Sequence, residues 1–356
     1  MMQVLRSWFH RYFSDEQAVY LFLVLLSGLL VVVFFGRSLA PVLTAIVIAY
    51  LLQGLVGMLN RRGLSDTASV YLVYFLFLAA LVISLVVMLP LLWKQSVHLV
   101  QEQLPRLLAN SETWLRALPQ RYPELISVEQ VEQLVAVARE ELTAMGQAVL
   151  SVSLSSIPGL LDGLVFLVLL PLLVFFFLKD RRMLTGWAVS WLPTERGALA
   201  SVWQEMDLQI ANYVRGKAVE IIIVSVASML AFYLLGLNYA FLLAILVGLS
   251  VVVPYIGATV VTLPVAAVGW VQFGFTTDFA MLMVCYGIIQ FLDGNFLVPI
   301  LFSEAVNLHP VAIITAILFF GGIWGLWGVF FAIPLATLIK AVLDVWPRQE
   351  QAVPAG

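Results

Sequence analysis

Charged side chains are scarce in this sequence. Asp, Glu, Lys and Arg make up 11% of its 356 residues, where soluble domains carry about a quarter. That shortage excludes an ordinary water-soluble domain. Cysteine is nearly absent: Cys285 stands alone, so no intrachain disulfide can form, and its apolar surroundings read as a packed thiol rather than a cofactor ligand. The motifs of common enzyme chemistry are missing as well. No GxxxxGK[ST] loop offers a phosphate cradle for ATP, no HExxH pair offers a zinc site, and no GxSxG elbow presents a nucleophile. No catalytic residue, metal ligand or cofactor is assigned, and an enzyme is not expected. The net charge of −3 selects no partner class, and nucleic acid is not among the expected partners.

What is present is apolar and long. Hydrophobic residues make up 62% of the chain, in runs sufficient to cross a bilayer. The expected fold is an all-α integral membrane protein, a multi-span helical bundle. Three spans are read over 18–35, 39–59 and 68–93, after a lead-in carrying Trp8, Phe9, Tyr12 and Phe13 that suits an interfacial helix. Ser38-Leu39-Ala40 resembles a signal cleavage site, but the apolar run before it is longer than a signal core, so the first span is read as uncleaved. Residues 94–156 differ: Val128, Val131, Leu134, Val135, Ala138 and Leu142 recur at helical spacing between charged positions, which marks an amphipathic extramembrane module. A fourth span over 157–178 ends at Lys179-Asp180-Arg181-Arg182, and an interfacial region with Trp187, Trp191 and Trp203 leads to a fifth span over 218–236. The expected organisation is thus 1–93, 94–156, 157–217, a transport core over 218–345, and a tail over 346–356.

The core is recognisable by its interruptions. Ile221 to Thr277 contains no charge. As one helix this run would extend ~85 Å at ~1.5 Å per residue, far beyond a ~30 Å hydrocarbon layer. Breaks are expected at Gly236-Leu237-Asn238 and at Pro254-Tyr255-Ile256-Gly257, which gives arms over about 239–253 and 258–274. A further span, 279–299, follows. The uncharged run Pro310–Ile339 is again interrupted, by Gly321, Gly322, Gly325 and Gly328. Two broken or re-entrant hairpins are therefore expected in the C-terminal half. Their sequences resemble each other: Leu237 opens LNYAFLLAIL and leads past Gly257 to Pro264-Val265-Ala266, while Leu308 opens LHPVAIITAIL and leads past Gly328 to Pro334-Leu335-Ala336. Arginines 6, 11, 61 and 62, the 179–182 cluster, and Arg215 with Lys217 place those ends in the cytoplasm by the positive-inside tendency. Both termini are then cytoplasmic, residues 94–156 lie outside, and the two units run in opposite directions. Inverted repeats with broken helices are a recurrent transporter design.

Asp293 and Asn295, in what reads as a glycine break, are the leading candidates to hold a cation or a polar solute, because an acid within a span is costly. Gln290, one turn earlier, shares their neighbourhood. Pro254, Tyr255 and Gly257 shape the first tip and either bare carbonyls for a ligand or simply turn the chain. Gly321, Gly322, Gly325 and Gly328 form a tip or a close-packing face, with Pro334 beyond them. His309 before Pro310 is a proton relay or a helix start. Arg215, Lys217 and Glu220 are candidate charge partners, or the two cations snorkel to the surface. Trp324 and Trp327 stack on a solute or pack beside the glycines.

Tyr213-Val214-Arg215-Gly216-Lys217, Val253-Pro254-Tyr255-Ile256-Gly257, Asp293-Gly294-Asn295-Phe296-Leu297-Val298-Pro299, Leu308-His309-Pro310 and the Gly321–Pro334 stretch together resemble the autoinducer-2 exporter family of PerM-like permeases. The N-terminal half matches mainly in layout, ending its fourth span Phe177-Leu178-Lys179-Asp180. Where that family has Arg-Gly-Gln, this chain has Lys217. The resemblance implies a multi-span inner-membrane transporter. It also implies export of a small polar solute such as autoinducer-2, or exchange of Na⁺ or Li⁺ for H⁺. The partners expected are the lipid bilayer, that solute or a monovalent cation, H⁺ or Na⁺ as coupling ion, and further copies of the chain in a homo-oligomer. A reading of another class is a non-transporting scaffold acting through 94–156.

Overall fold

The computed structural model describes residues 16–36, 38–103, 127–151, 157–191, 197–254, 256–302 and 308–345, with scattered positions between 104 and 126. The lead-in before Glu16, Pro123, Tyr255, the polar residues Ser303, Glu304 and Asn307, and the 346–356 tail lie outside the described residues. Among the described residues every regular element is helical, as long apolar runs with few Gly or Pro dictate. In chain order these are α1 Glu16–Phe35, α2 Ala40–Arg61, α3 Asp66–Gln103, α4 Val128–Ser151, α5 Ile157–Lys179, α6 Arg181–Ser190, α7 Gly197–Leu234, α8 Ala240–Ser250, α9 Ile256–Phe273, α10 Thr277–Phe302, α11 Pro310–Trp324 and α12 Leu326–Val345.

Helices α2, α3, α7, α9 and α10 are long and apolar enough to cross a membrane, and α5 with α6 forms a further candidate bent by 82°. The chain is an all-α integral membrane protein. By contrast α8, with 11 residues, reaches only ~16 Å and α11, with 15, ~22 Å at ~1.5 Å per residue. Neither first arm of the two interrupted runs spans a ~30 Å hydrocarbon layer unaided.

Two elements are longer than their composition suggests. Helix α7 is one rod of 38 residues, ~57 Å long, rather than an interfacial helix followed by a separate span. Between Ala198 and Leu234 its only glycine is Gly216 and it has no proline. A lone glycine costs only about 1 kcal/mol against alanine. Helix α3 likewise continues past Trp93 to Gln103, through wide π-helical turns at Ser84–Met88 and Leu99–Gln103. Pro90 sits in the first turn of the segment that resumes at Leu89, where a missing N–H is tolerated.

The chain forms two compact units. One comprises residues 1–75, 166–218 and 301–356, the other 76–165 and 219–300. In the first, α2 buries Ala45, Ala49, Leu52 and Val56 along one helical face, and α7 buries Val202 and Met206 with Ala341 of α12. Tyr50 of α2 donates its hydroxyl to Asp207 of α7, and the Phe175 ring meets Tyr71 and Tyr74. In the second, α7, α8, α9 and α10 share a core that includes Val224, Phe232, Leu243, Val247, Val265 and Leu282. Their approach is close because small residues line it. A Cβ on Gly248 would fall 1.7 Å from Ser225 Oγ, and one on Gly269 2.4 Å from Leu282 Cδ2. The amphipathic α4 buries Val131 and Val135, and its Arg139 reaches Glu112 alongside Arg116.

Candidate functional site

Both interrupted runs fold back on themselves. In the first, residues 251–255 separate α8 from α9, and Gly257 carries no side chain because none fits: a Cβ there would lie 1.8 Å from the Ser250 carbonyl oxygen. In the second, a Cβ on Gly328 would lie 1.8 Å from the Phe320 carbonyl oxygen. Residues seven and eight apart along one helix would be ~10–12 Å from each other, so each second arm returns against the backbone of the first. The glycines that occupy corresponding places in the two similar windows thus do the same work. The open base of the first hairpin is tied by Gln272 near the end of α9, which accepts from Asn238 N at 2.7 Å and donates to the Gly236 carbonyl at 2.7 Å. Gln95 of α3 accepts from Leu242 N at 2.8 Å, satisfying one of the orphan donors in the first turn of α8.

The tips differ. At the first, the carbonyls of Val253 and Pro254 each accept a backbone N–H, from Gly257 and Ile256 respectively, so they close the turn rather than stand bare. The second tip is a single residue: Gly325, at φ 59° and ψ −131°, conformation that L side chains avoid. The other three glycines divide. Gly321 and Gly328 pack closely, the former against Val329, while Gly322 faces open space. Trp324 lies beside Phe320, and Trp327 stacks on Phe331. His309 is a helix start: its Nδ1 accepts from Val311 N at 3.3 Å. Inside α12, Pro334 has no N–H to give the carbonyl of Phe330 four residues back. Tyr213 of α7 donates its hydroxyl to that carbonyl at 2.9 Å instead.

Asp293 does not lie in a chain break. Helix α10 runs on through Gly294 and widens into a π-helical turn over Asp293–Leu297, because one glycine between strong apolar helix formers relaxes the helix without ending it. Asn295 is exposed and donates its amide to the Phe291 carbonyl at 2.9 Å. It is not brought to Asp293, as residues two apart on a helix face different ways. The partner set for Asp293 runs the other way along α10. At ~100° per residue, Tyr286, Gln290 and Asp293 fall within ~60° of one another. Tyr286 is 3% exposed, and its hydroxyl lies 3.0 Å from Thr262 Oγ1 and 3.2 Å from the Ala258 carbonyl, one residue past Gly257. Thr262 donates to that same carbonyl at 2.7 Å, and the Gln290 carboxamide is next to the Tyr286 hydroxyl. A line of hydroxyl, carboxamide and carboxylate therefore starts at the first hairpin tip and follows α10. Tyr286 and Thr262 were not singled out from the sequence, although a step of four and then three residues back from Asp293 reaches Tyr286.

The cations of the Tyr213–Lys217 motif part company. Arg215 is exposed, beside Gly54, as a snorkelling side chain would be. Lys217 is only 4% exposed, with its ammonium 5.1 Å from the centre of the Phe302 ring, so it does not reach the surface. Gly216 gives Phe302 its seat, since a Cβ would lie 2.7 Å from that ring. Glu220 is 1% exposed, three residues on from Lys217 and on the same helical face.

A helical membrane protein with two folded-back hairpins, one of them lined by partly buried polar groups, has the architecture of a solute permease. Sequence comparison agrees. The AI-2E family transporter profile matches residues 21–348, and the chain belongs to that family. It is 47% identical to "Putative permease PerM" of Escherichia coli (strain K12), over 98% of each chain. It is 26% identical to "Putative transport protein YueF" of Bacillus subtilis (strain 168), over 87% of this chain and 84% of that one. It is 22% identical to "AI-2 transport protein TqsA" of Escherichia coli (strain K12), over 90% and 91%.

Proposed function

We propose that this AI-2E family protein is a secondary transporter that exports a small polar solute of the autoinducer-2 kind, bound beside the first hairpin tip near Asp293. The observation that carries the reading is the Tyr286–Gln290–Asp293 line against Thr262 and the Ala258 carbonyl. Polar groups inside a membrane bundle are expensive and mark solute paths by default. A polyhydroxylated solute suits them: its hydroxyls donate to a carboxylate and a backbone carbonyl, and accept from an amide and a phenol. The similarity to TqsA, an AI-2 transport protein by name, supports the solute class. The sites with most to do with gating are the two folded tips, Gly257 with Pro254, and Gly325 with Gly321, Gly328 and Pro334. Residues 218–345 carry the transport function, the protein resides in the inner membrane with both termini cytoplasmic and 94–156 outside, and it works as a homo-oligomer.

The test is solute flux in proteoliposomes made with the full chain. Asp293→Asn is expected to lower flux at least tenfold while the protein remains folded, and Asn295→Ala to change it little. Equal flux for wild type and Asp293→Asn would remove the assigned site. A pH-sensitive dye with Na⁺ and no organic solute provides the second arm. Proton movement there would replace solute export with cation exchange, and its absence is expected.

A further inference from the structure

We infer that α6 is a docking surface for anionic phospholipid headgroups, with its tryptophans setting depth in the bilayer and the basic cluster at the bend reading headgroup charge. Helix α6 leaves α5 at 82°, so when α5 crosses the bilayer α6 runs close to the membrane plane. At ~100° per residue, Met183, Leu184, Trp187, Ala188 and Trp191 occupy one ~140° arc, and Arg181, Thr185, Arg182 and Ser190 the other. The described residues leave most of that apolar arc uncovered: Met183 is 66% exposed, Trp187 63% and Trp191 76%. The two indoles lie 5.9 Å apart, edge to face. Paired tryptophans on the apolar side of a short amphipathic helix fit the headgroup boundary, where amphipathic rings concentrate.

Charge selects the kind of lipid. Lys179, Arg181 and Arg182 are all exposed, and Asp180 between them leaves a net +2 over four residues. Lys179 ends α5 and Arg181 and Arg182 open α6, so all three cations cluster at the bend. A cation held at an anionic membrane surface contributes about 1 kcal/mol. A phosphatidylcholine surface, with no net charge, offers nothing comparable.

The full chain is reconstituted in phosphatidylcholine vesicles doped with brominated phosphatidylcholine or brominated phosphatidylglycerol. Quenching of Trp187 and Trp191 is read as the difference between wild type and a Trp187→Phe/Trp191→Phe variant. Both lipids are expected to quench, phosphatidylglycerol at lower mole fraction. Arg181→Gln and Arg182→Gln together bring the four residues to no net charge and should equalise the two lipids while leaving quenching by phosphatidylcholine intact, each neutralisation lowering the preference by roughly fivefold at low salt. These are exposed positions, and Arg181→Glu/Arg182→Glu, expected to invert the preference, separates charge reading from a folding defect. Equal quenching by the two lipids in the wild type would overturn the headgroup assignment. Rings that neither lipid quenches would overturn the docking surface itself, and chemical cross-linking through this face would then identify a second copy as its cover.

Discussion

The two hairpins share a skeleton and differ in what clothes it. Each has a short first arm, α8 or α11, and a longer second arm, α9 or α12. Each second arm carries a glycine pressed against a carbonyl of the first, Gly257 or Gly328, and an internal proline, Pro264 or Pro334. Around this common frame the first hairpin places the Thr262 hydroxyl and the Ala258 carbonyl against Tyr286, while the second is dressed with aromatic rings from Phe320 to Phe331. One polar bond, from Tyr213, ties the second to α7. Folding back is therefore a backbone property written in glycine and proline, and the polar cluster around Tyr286 is a separate property of the first hairpin.

The largest effects should come from the shared frame. Gly257→Ala and Gly328→Ala each drive a methyl into a main-chain carbonyl that no rotamer change can move. Each should lower stability by an amount at or above the top of the ~1–3 kcal/mol overpacking range, read from thermal unfolding in detergent, whereas Gly322→Ala, facing open space, should be close to neutral. A heavy loss at one glycine with none at the other would break the parallel.

Smaller effects should separate the hairpins. Tyr213→Phe leaves the Phe330 carbonyl without its donor, which costs about 1–3 kcal/mol for a buried acceptor. Hydrogen exchange should rise in α12 and stay unchanged in α9. Tyr286→Phe removes bonds to Thr262 and Ala258 worth about 0.5–1.5 kcal/mol. It should loosen the first tip, raise the solute KM, and leave α12 unaffected. Smallest is a pH effect outside the candidate spans. Hydrogen bonds from Arg139 and then Arg116 hold the Glu112 carboxyl below the usual carboxylate range. A depressed folded value means that the α4 attachment is fully present above ~4.3, the ordinary Glu value, and is lost as pH falls through the folded one. Protease sensitivity of α4 should rise with acidification in the wild type, and Arg139→Gln should make that dependence shallower.

Much of the frame was legible because its signals are local. Gly325 and Pro254 punctuate runs too long and too apolar to be single helices, so the breaks could be placed within a few residues. Their partition into tip, packing face and open position could not, since it depends on which backbone comes back against which glycine. The site was less legible. Gly294 suggested a break around Asp293, but Phe291, Leu292, Phe296 and Leu297 keep the helix going and a wide turn absorbs the strain. A polar group gains its meaning from a partner on another helix, which is why Tyr286 and Thr262 stayed hidden while Asn295, paired only with its own turn, looked important. Lys217 could be read from the sequence either as a charge partner or as a cation snorkelling to the surface. Its burial over Phe302 depends on Gly216 making room, a contact 85 residues away in sequence.

The proposed site requires the carboxylate at 293 to lie on a path that water and a solute can reach, within an otherwise apolar bundle. Reaction of Asp293→Cys with a membrane-impermeant thiol reagent, in a Cys285→Ser background and in intact proteoliposomes, tests it directly. Labelling at 293 is expected, with none at Ile288→Cys on the same helix. A thiol at 293 that no aqueous reagent reaches from either side would contradict the assignment.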